Sequence, residues 1–341
     1  MNRARFDTLT SAGHRLRVAV VGDFCLDRYL EIDPARQETS LETGLPVHNV
    51  VHVRSQPGAA GTILNNLMAL GIGTLYPVGF VGEDAEGHDL GAALAAHSSV
   101  RLDHFLRTPL RRTFCYTKPL LLHPGQPPEE LSRLDFKNWN VTPETLAAQL
   151  AGAVRQLAGH VDALIVLDQV DLAETGVITQ PVREALASIA RDHPQLFIIA
   201  DSRRGLRGYP PLSYMMNARE LTALTEAPAD ASLEDLHTFA TRLADQVRRP
   251  VFVTLAERGI LGATPGQPPV YLPALPYRGN IDVVGAGDAV TANLAAAFAA
   301  GAQLEEALEL ANAAASIVIH KVGTTGTASV AELDQTLAPA T

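Results

Sequence analysis

The chain is poor in cysteine, in aromatic residues and in positive charge. Of its 341 residues only two are cysteines, one is tryptophan and 5% are aromatic. Cys25 and Cys115 lie far apart and fit no metal-ligand spacing, which excludes a disulfide framework and a cysteine-based zinc site. Two uncharged thiols in a reducing compartment are the expectation. Lys and Arg total 27 against 37 Asp and Glu, a formal net charge of −10. Such a chain lacks the basic face of a nucleic-acid-binding protein, although a few local cations can still hold an anionic substrate. Long apolar runs are also missing. Met1 to Arg17 is polar and charged, without a stretch of signal-peptide length. Leu294 to Ala300 is too short to span a bilayer, and Glu305 and Glu306 follow it. These absences point to a cytoplasmic protein with neither membrane nor nucleic acid as partner. No internal repeat, low-complexity tract or interdomain linker interrupts the chain, so residues 1–341 are expected to form a single domain.

What is present is a large apolar fraction, 47% against 19% charged, enough for a sizeable core. Arg17–Gly22 is a short β-branched run ending in Gly, the pattern of a buried parallel strand whose C-terminal end opens onto a site. Ala163–Leu167, Leu196–Ala200 and Val251–Thr254 read the same way. Between them, apolar residues at three- and four-residue spacing predict helices over about Thr142–Leu157, Gln180–Asp192 and Leu233–Val247. Alternating strands and helices imply a mostly parallel sheet with helices on both faces, an α/β fold. Two extended stretches break the alternation: Leu45–Val53 and Thr113–Lys118, the latter followed by the turn-rich Pro124–Pro128. Edge strands of the main sheet, or a small sheet covering the site, both fit them.

The most informative stretch is Asp282-Val-Val-Gly-Ala-Gly-Asp288, followed by an Ala-rich run that Gly301 stops. It places Gly285, Ala286 and Gly287 at a helix N-terminus. There the first amides lack partners and the dipole favours an anion, and small residues let a phosphate come close. Asp288 in this position is either a helix cap or a base that takes a proton from an attacking hydroxyl.

The segment Asp282–Asp288 resembles the C-terminal signature of the ribokinase-like (PfkB) carbohydrate kinases, Asp-Thr-x-Gly-Ala-Gly-Asp, with Val283 in place of the Thr. The resemblance runs from about Arg17 to Leu333. It takes in Val21–Tyr29, the first signature at Pro57–Gly71, Val78–Gly87, Asn217-Ala-Arg-Glu220, Val253–Gly259, and the helix at Glu305–Lys321 with Asn312 and Gly323. It implies a three-layer ribokinase-like core and a small β lid from about residues 28–55 and 110–122. By the same likeness Gly285, Ala286 and Gly287 form an anion hole for the transferred phosphate and Asp288 is the base. Asp27, Gly58, Thr62 and Asp168 bind the acceptor. Asn217, Thr254, Glu257, Gly259, Asn312 and Gly323 border ATP. Glu220 helps hold Mg²⁺ through water, and Asp282 lies near a monovalent-cation site, potassium where one is used.

The departures fall at the substrate end. Ala59 stands for the second Gly of the first signature and Thr62 for its Asn, and Ala256 stands where the nucleotide loop often has Gly. Within the family Ser40–Val47, Leu26–Tyr29 and Arg133–Asp135 are similar to the heptose phosphate kinases of bacterial surface-polysaccharide synthesis, whereas Asp168-Gln169 and Asp201-Ser-Arg203 differ from their Asp-Tyr and Asp-Pro-Lys. A phosphosugar acceptor calls for cations at the sugar end, for which Arg111, Arg112, Arg203 and Arg204 are available. The expectation is an ATP-dependent phosphotransferase acting on a hydroxyl of a sugar or phosphosugar and pairing through its lid as a homodimer. A nucleoside or other small-alcohol kinase of the same fold, or a binding protein that kept the fold without turnover, are the alternatives.

Overall fold

The computed structural model describes residues 1–277 and 279–338. A helix α1 (Arg3–Ala12) precedes strand β1 (Arg17–Gly22), and one residue later the chain enters a second sheet through β2 (Phe24–Ile32). A two-stranded hairpin follows, β3 (Glu38–Thr39) with β4 (Pro46–Val47), and then β5 (Val50–Ala59). Helix α2 (Ala60–Ala69), β6 (Thr74–Gly82), α3 (Ala85–Ala95) and β7 (Phe105–Thr108) return to the core. The chain rejoins the second sheet with β8 (Phe114–Leu121), β9 (Glu129–Glu130) and β10 (Leu134–Phe136). From there units of strand and helix alternate: α4 (Glu144–Leu157), β11 (Ala163–Asp168), α5 (Gln180–Asp192), β12 (Phe197–Ser202), β13 (Ser213–Asn217), α6 (Ala218–Thr225) and α7 (Leu233–Val247). A hairpin of β14 (Val251–Thr254) and β15 (Ile260–Ala263) leads to β16 (Val270–Leu272), and α8 (Ala286–Ala299), α9 (Leu304–Ile319) and α10 (Val330–Leu337) close the chain.

The main sheet has nine strands in the order β16-β15-β14-β13-β12-β11-β1-β6-β7. All neighbours are parallel from β14 to β7, and β15 and β16 run antiparallel at one end. The pleat of β1 explains the layers. Val18 and Val20 face one core with α1, α2, α8 and α9, while Ala19 and Val21 face another with α4, α5 and α7. Apolar residues therefore fill both faces of the central strands, as their unbroken β-branched runs require.

Helices α5 and α7 occupy the residues their periodicity predicts. At the start of α4, Thr142 instead donates its hydroxyl to the Gly176 carbonyl and Pro143 forms the cap, so the helix begins at Glu144. The last long helix runs Leu304–Ile319, capped by His320, so Lys321 lies beyond it.

The extended stretches form a sheet of their own, ordered β10-β8-β2-β5, with β9 paired to β8. It reaches further than the sequence suggested. It starts at Phe24, ends its first arm at Ala59, and gains β9 and β10 because the chain turns back after Pro128. Strands β2 and β8 are parallel and the other pairs antiparallel. This lid is joined to the core at Asp23 and Ala59, where the Ala60 amide donates to the Asp23 carbonyl at 3.0 Å. Among the described residues no helix is long and apolar enough to cross a membrane.

Candidate active site

Helix α8 begins with Gly285 as its cap, in the left-handed region at φ 82°. A side chain there would be strained, and its Cβ would lie 2.6 Å from the Thr325 methyl. No side chain caps this helix. The Ala286 amide is taken by the Val283 carbonyl at 3.2 Å, so of the three amides expected to form an anion hole it alone is already paired. The amides of Gly285, Gly287 and Asp288 have no acceptor among the described residues. Asp288 is the third residue of α8 and does not cap it. Its carboxyl lines a cavity of about 190 Å³ between core and lid, together with Gly285, Thr325, Asp27, Ala59 and Thr62.

Burial pushes the Asp288 carboxyl well above the usual carboxylate range, and the charges of Asp201 and Asp27 push it the same way. Asp27, on β2, is raised by burial, partly offset by Lys118 and Arg133. Gly58 lies on β5 opposite Cys25, two residues from Asp27 along β2, and a Cβ there would sit 2.6 Å from the Asp27 carboxylate, so only Gly leaves this acid its room. Thr62, in the first turn of α2, is buried against the same space. Asn65 and Asn66 do not reach it. Asn65 donates to the Pro57 carbonyl, and Asn66 ties the Thr62 carbonyl to the Ala328 amide.

Four cations line the cavity: Lys118, Arg133, Lys137 and Arg203. Lys118 lies on β8, and Arg133 and Lys137 flank β10, and composition gives no hint of their convergence. Of the four arginines the sequence offered for a phosphosugar, only Arg203 lines it. Arg111 is buried on the carbonyls of Thr175 and Val141, Arg112 stacks on Phe136, and Arg204 pairs with Asp168. Lys118 has no carboxylate partner among the described residues and lies over the Tyr29 ring. Burial pulls its pKa down, but Asp27 and Tyr29 outweigh that and hold it above the usual value.

Asp168 is placed otherwise than a substrate ligand would be. It is fully buried, with Oδ2 accepting from Ser202, Arg204 and Tyr209 at 2.6 to 3.1 Å. Its neighbour Gln169 lines the cavity instead. The Asp23 carboxylate, which the motifs did not single out, fixes that neighbour by accepting the amides of Gln169 and Val177 at 2.8 and 2.7 Å. Burial, and then Asp168, raise Asp23 to about 7.

A second cavity, about 350 Å³, adjoins β12 and α6 and is lined by Asn217, Glu220 and the arginines 203, 204, 207 and 219. Asn217 and Glu220 form a reciprocal capping box, each side chain bonded to the other's amide at 2.8 to 2.9 Å. The Asn-x-x-Glu spacing therefore starts α6 as well as facing this cavity. Asp201, the last residue but one of β12, lines neither cavity and is raised to about 7 by burial, then by Glu220 and Asp168. Thr254, Glu257, Gly259, Asn312 and Gly323 line neither cavity. Gly259 turns the β14–β15 hairpin at φ 111°, and Ala256 also takes a positive φ, 52°. Asn312 donates to the Pro273 carbonyl at 2.8 Å. Asp282 accepts the amides of Val284 and Gly323, clasping the loops that precede α8 and follow α9. No group of three or more His, Cys, Asp or Glu residues converges as a metal site among the described residues.

Residues 212–331 match the pfkB family carbohydrate kinase pattern. Over 337 residues, 98% of this chain, the sequence is 32% identical to the bifunctional protein HldE of Bradyrhizobium sp. (strain ORS 278). Over 327 residues, 94% of the chain, it is 34% identical to the HldE of Azotobacter vinelandii. This chain belongs to the pfkB family of carbohydrate kinases. It spans 66% and 63% of the length of those two relatives. Two solved structures share its fold over nearly its whole length. Arabidopsis thaliana ribokinase, complexed with ribose and ATP, aligns with a TM-score of 0.67 at 19% identity, over 95% of this chain and 99% of that one. Escherichia coli phosphofructokinase-2, with substrates and products, reaches 0.72 at 17%, over 94% and 97%. A carbohydrate kinase of this family uses ATP. The uncapped N-terminus of α8, with its glycine cradle and free amides, fits the phosphate end of that nucleotide.

Proposed function

We propose that this carbohydrate kinase transfers the γ-phosphoryl group of ATP to a hydroxyl of a phosphorylated sugar, with heptose phosphates as the first acceptors to test. One observation carries the reading: Asp288 and Gly285, the cap of α8, line a single cavity with four cations. A neutral sugar needs hydroxyl partners such as Asp27, Thr62 and Gln169. It gives no reason to gather Lys118, Arg133, Lys137 and Arg203 there, whereas a phosphate does.

In this reading Asp27 orients the acceptor hydroxyls and Asp288 takes the proton of the attacking one. The oxygen displaces ADP in line, and the amides of Gly287 and Asp288 hold the charge that spreads over the phosphoryl oxygens. Asn217 and Glu220 would hold Mg²⁺ mainly through water, since Glu220 supplies the one carboxylate lining that cavity and one of its oxygens already accepts the Asn217 amide. The metal would also offset the charge of Glu220, which raises the proton affinity of Asp201, as Asp201 in turn raises that of Asp288. Thr254, Glu257, Gly259, Asn312 and Gly323 would border the adenosine end. For Asp282, two accepted amides favour a loop clasp over a potassium ligand. Residues 24–59 and 114–136 would act as a lid on one catalytic domain, and its exposed face would pair with a second copy of the chain.

The test is ADP release by the purified chain with ATP, Mg²⁺ and a panel of sugars, sugar phosphates and nucleosides. A kcat/KM at least about 100-fold higher for one sugar phosphate than for its unphosphorylated parent is expected, a difference within the usual reach of charge-assisted contacts. Turnover of nucleosides alone, or of unphosphorylated sugars equally well, would reject the phosphosugar assignment.

A further inference from the structure

Arg203 is the only described residue that lines both cavities, the one holding Asp288 and the one holding Asn217 and Glu220. Resting on the phosphotransfer reading above, we infer that Arg203 is a catalytic residue whose guanidinium grips the terminal phosphoryl group as it passes from the nucleotide side to the acceptor side.

The backbone already aims it. Arg203 follows the last residue of β12 and its amide donates to the Asp168 carbonyl at 2.9 Å, while the next turn closes with the Gly205 amide on the Ser202 carbonyl. Its Nε lies 3.1 Å from Asp171, whose other oxygen holds Lys137 at 2.7 Å. Beyond Asp171 the guanidinium has no protein acceptor among the described residues. It is half-exposed, so its remaining donors are open to a ligand. Two of the other arginines of the second cavity are committed, and the third, Arg219, does not line the cavity that holds Asp288. Arg204 turns inward to Asp168 at 2.6 Å, and Arg207 pairs with Glu226 and the Ala223 carbonyl. A planar fork of donors suits the three equatorial oxygens of a phosphoryl group in flight, whose charge is greatest on those atoms. In the step the bond from the β,γ-bridging oxygen to the γ-phosphorus breaks, and a bond from the acceptor oxygen to that phosphorus forms. The hydroxyl proton goes to Asp288 and ADP departs with the bridging oxygen. Arg203 changes no bond and follows the group across.

A residue on the terminal phosphate distinguishes ATP from ADP, which a merely structural residue does not. Calorimetry with Mg²⁺ and either the non-hydrolysable analogue AMP-PNP or ADP reads this without an acceptor. Arg203→Gln should weaken AMP-PNP by about tenfold or more, the usual scale for a charged hydrogen bond, and leave ADP within about twofold. Arg203→Lys should keep part of the preference, and added guanidinium ion should restore AMP-PNP affinity to Arg203→Gln. Equal weakening of both nucleotides, or none, would overturn the assignment. If wild type binds both nucleotides, Asp288→Asn abolishes transfer and only this discrimination is missing, the phosphotransfer reading stands and Arg203 alone is wrong. If wild type binds neither, both fall.

Discussion

Asp288 illustrates how one carboxyl is tuned by its place. A base must be ionised to accept a proton, and here burial, Asp201 and Asp27 all favour the protonated form. Activity should therefore rise with pH through a limb well above the ordinary Asp range. Asp27→Asn removes one of the negative neighbours and should move that limb to lower pH, while also raising the acceptor KM. A kcat/KM profile that is flat from pH 5 upward in the wild type would contradict this. Asp288→Asn keeps the shape and loses the proton acceptor, so kcat should fall by about 10²–10⁴ with nucleotide binding retained. Gly58 gives a separate test on the acceptor side. Its Cβ would press on the Asp27 carboxylate and on the Cys25 sulfur, 2.8 Å away. Gly58→Ala should raise the acceptor KM several-fold with the KM for ATP unchanged, and equal changes in both would point to a wider distortion of the lid.

At the scale of elements, the first two of the four connections between lid and core, at Asp23 and Ala59, are where local conformation bears on how the lid is set. Ala59, which ends β5 and caps α2, sits at φ 53° and ψ −117°, a region that costs an L-residue on the order of 1–3 kcal/mol. The Gly that the family has here would adopt it freely, against an unfolded-state entropy cost of about 0.5–1 kcal/mol. Ala59→Gly should thus stabilise the chain by about 1 kcal/mol, seen as a higher midpoint in urea with an unchanged slope. A lower midpoint would show that the surroundings have adapted to the methyl group. The sequence carried the existence of these elements better than their strain. The β-branched runs of β1 and β14 and the apolar stripes of α5 and α7 end where their patterns do, because burial on both faces or on one stripe leaves a period to read. The two- and three-residue strands β9 and β10 leave none. Nor does a positive φ at an alanine, which appears only once β5, Asp23 and α2 are placed together. The same limit applies to the cations. Lys118, Arg133 and Lys137 look like ordinary surface charges along the chain, and only the folding-back of the lid brings them to Arg203.

For the whole molecule, the lid leaves an apolar edge uncovered. Strand β5 is an edge, unpaired on its outer side, and Val50, Val51 and Val53 are 43 to 51% exposed. The hairpin of β3 and β4, which precedes it in the chain, leaves Leu41 and Leu45 uncovered. An apolar edge strand invites pairing, and a closed two-fold contact between identical lids would cover it without leaving a new edge. Light scattering at micromolar concentration should then give twice the 36.3 kDa of the chain. Val51→Lys together with Val53→Lys puts like charges on an isologous contact, where each meets its own copy or a close neighbour. The double variant should run at the single-chain mass. Because the lid carries Asp27, Lys118 and Arg133, and Lys137 follows its last strand, the variant's acceptor KM should rise while AMP-PNP affinity holds, since Asn217, Glu220 and α8 all lie on the core. A wild-type mass of one chain would remove the dimer, and a double variant with an unaltered acceptor KM would show that the lid holds its shape alone.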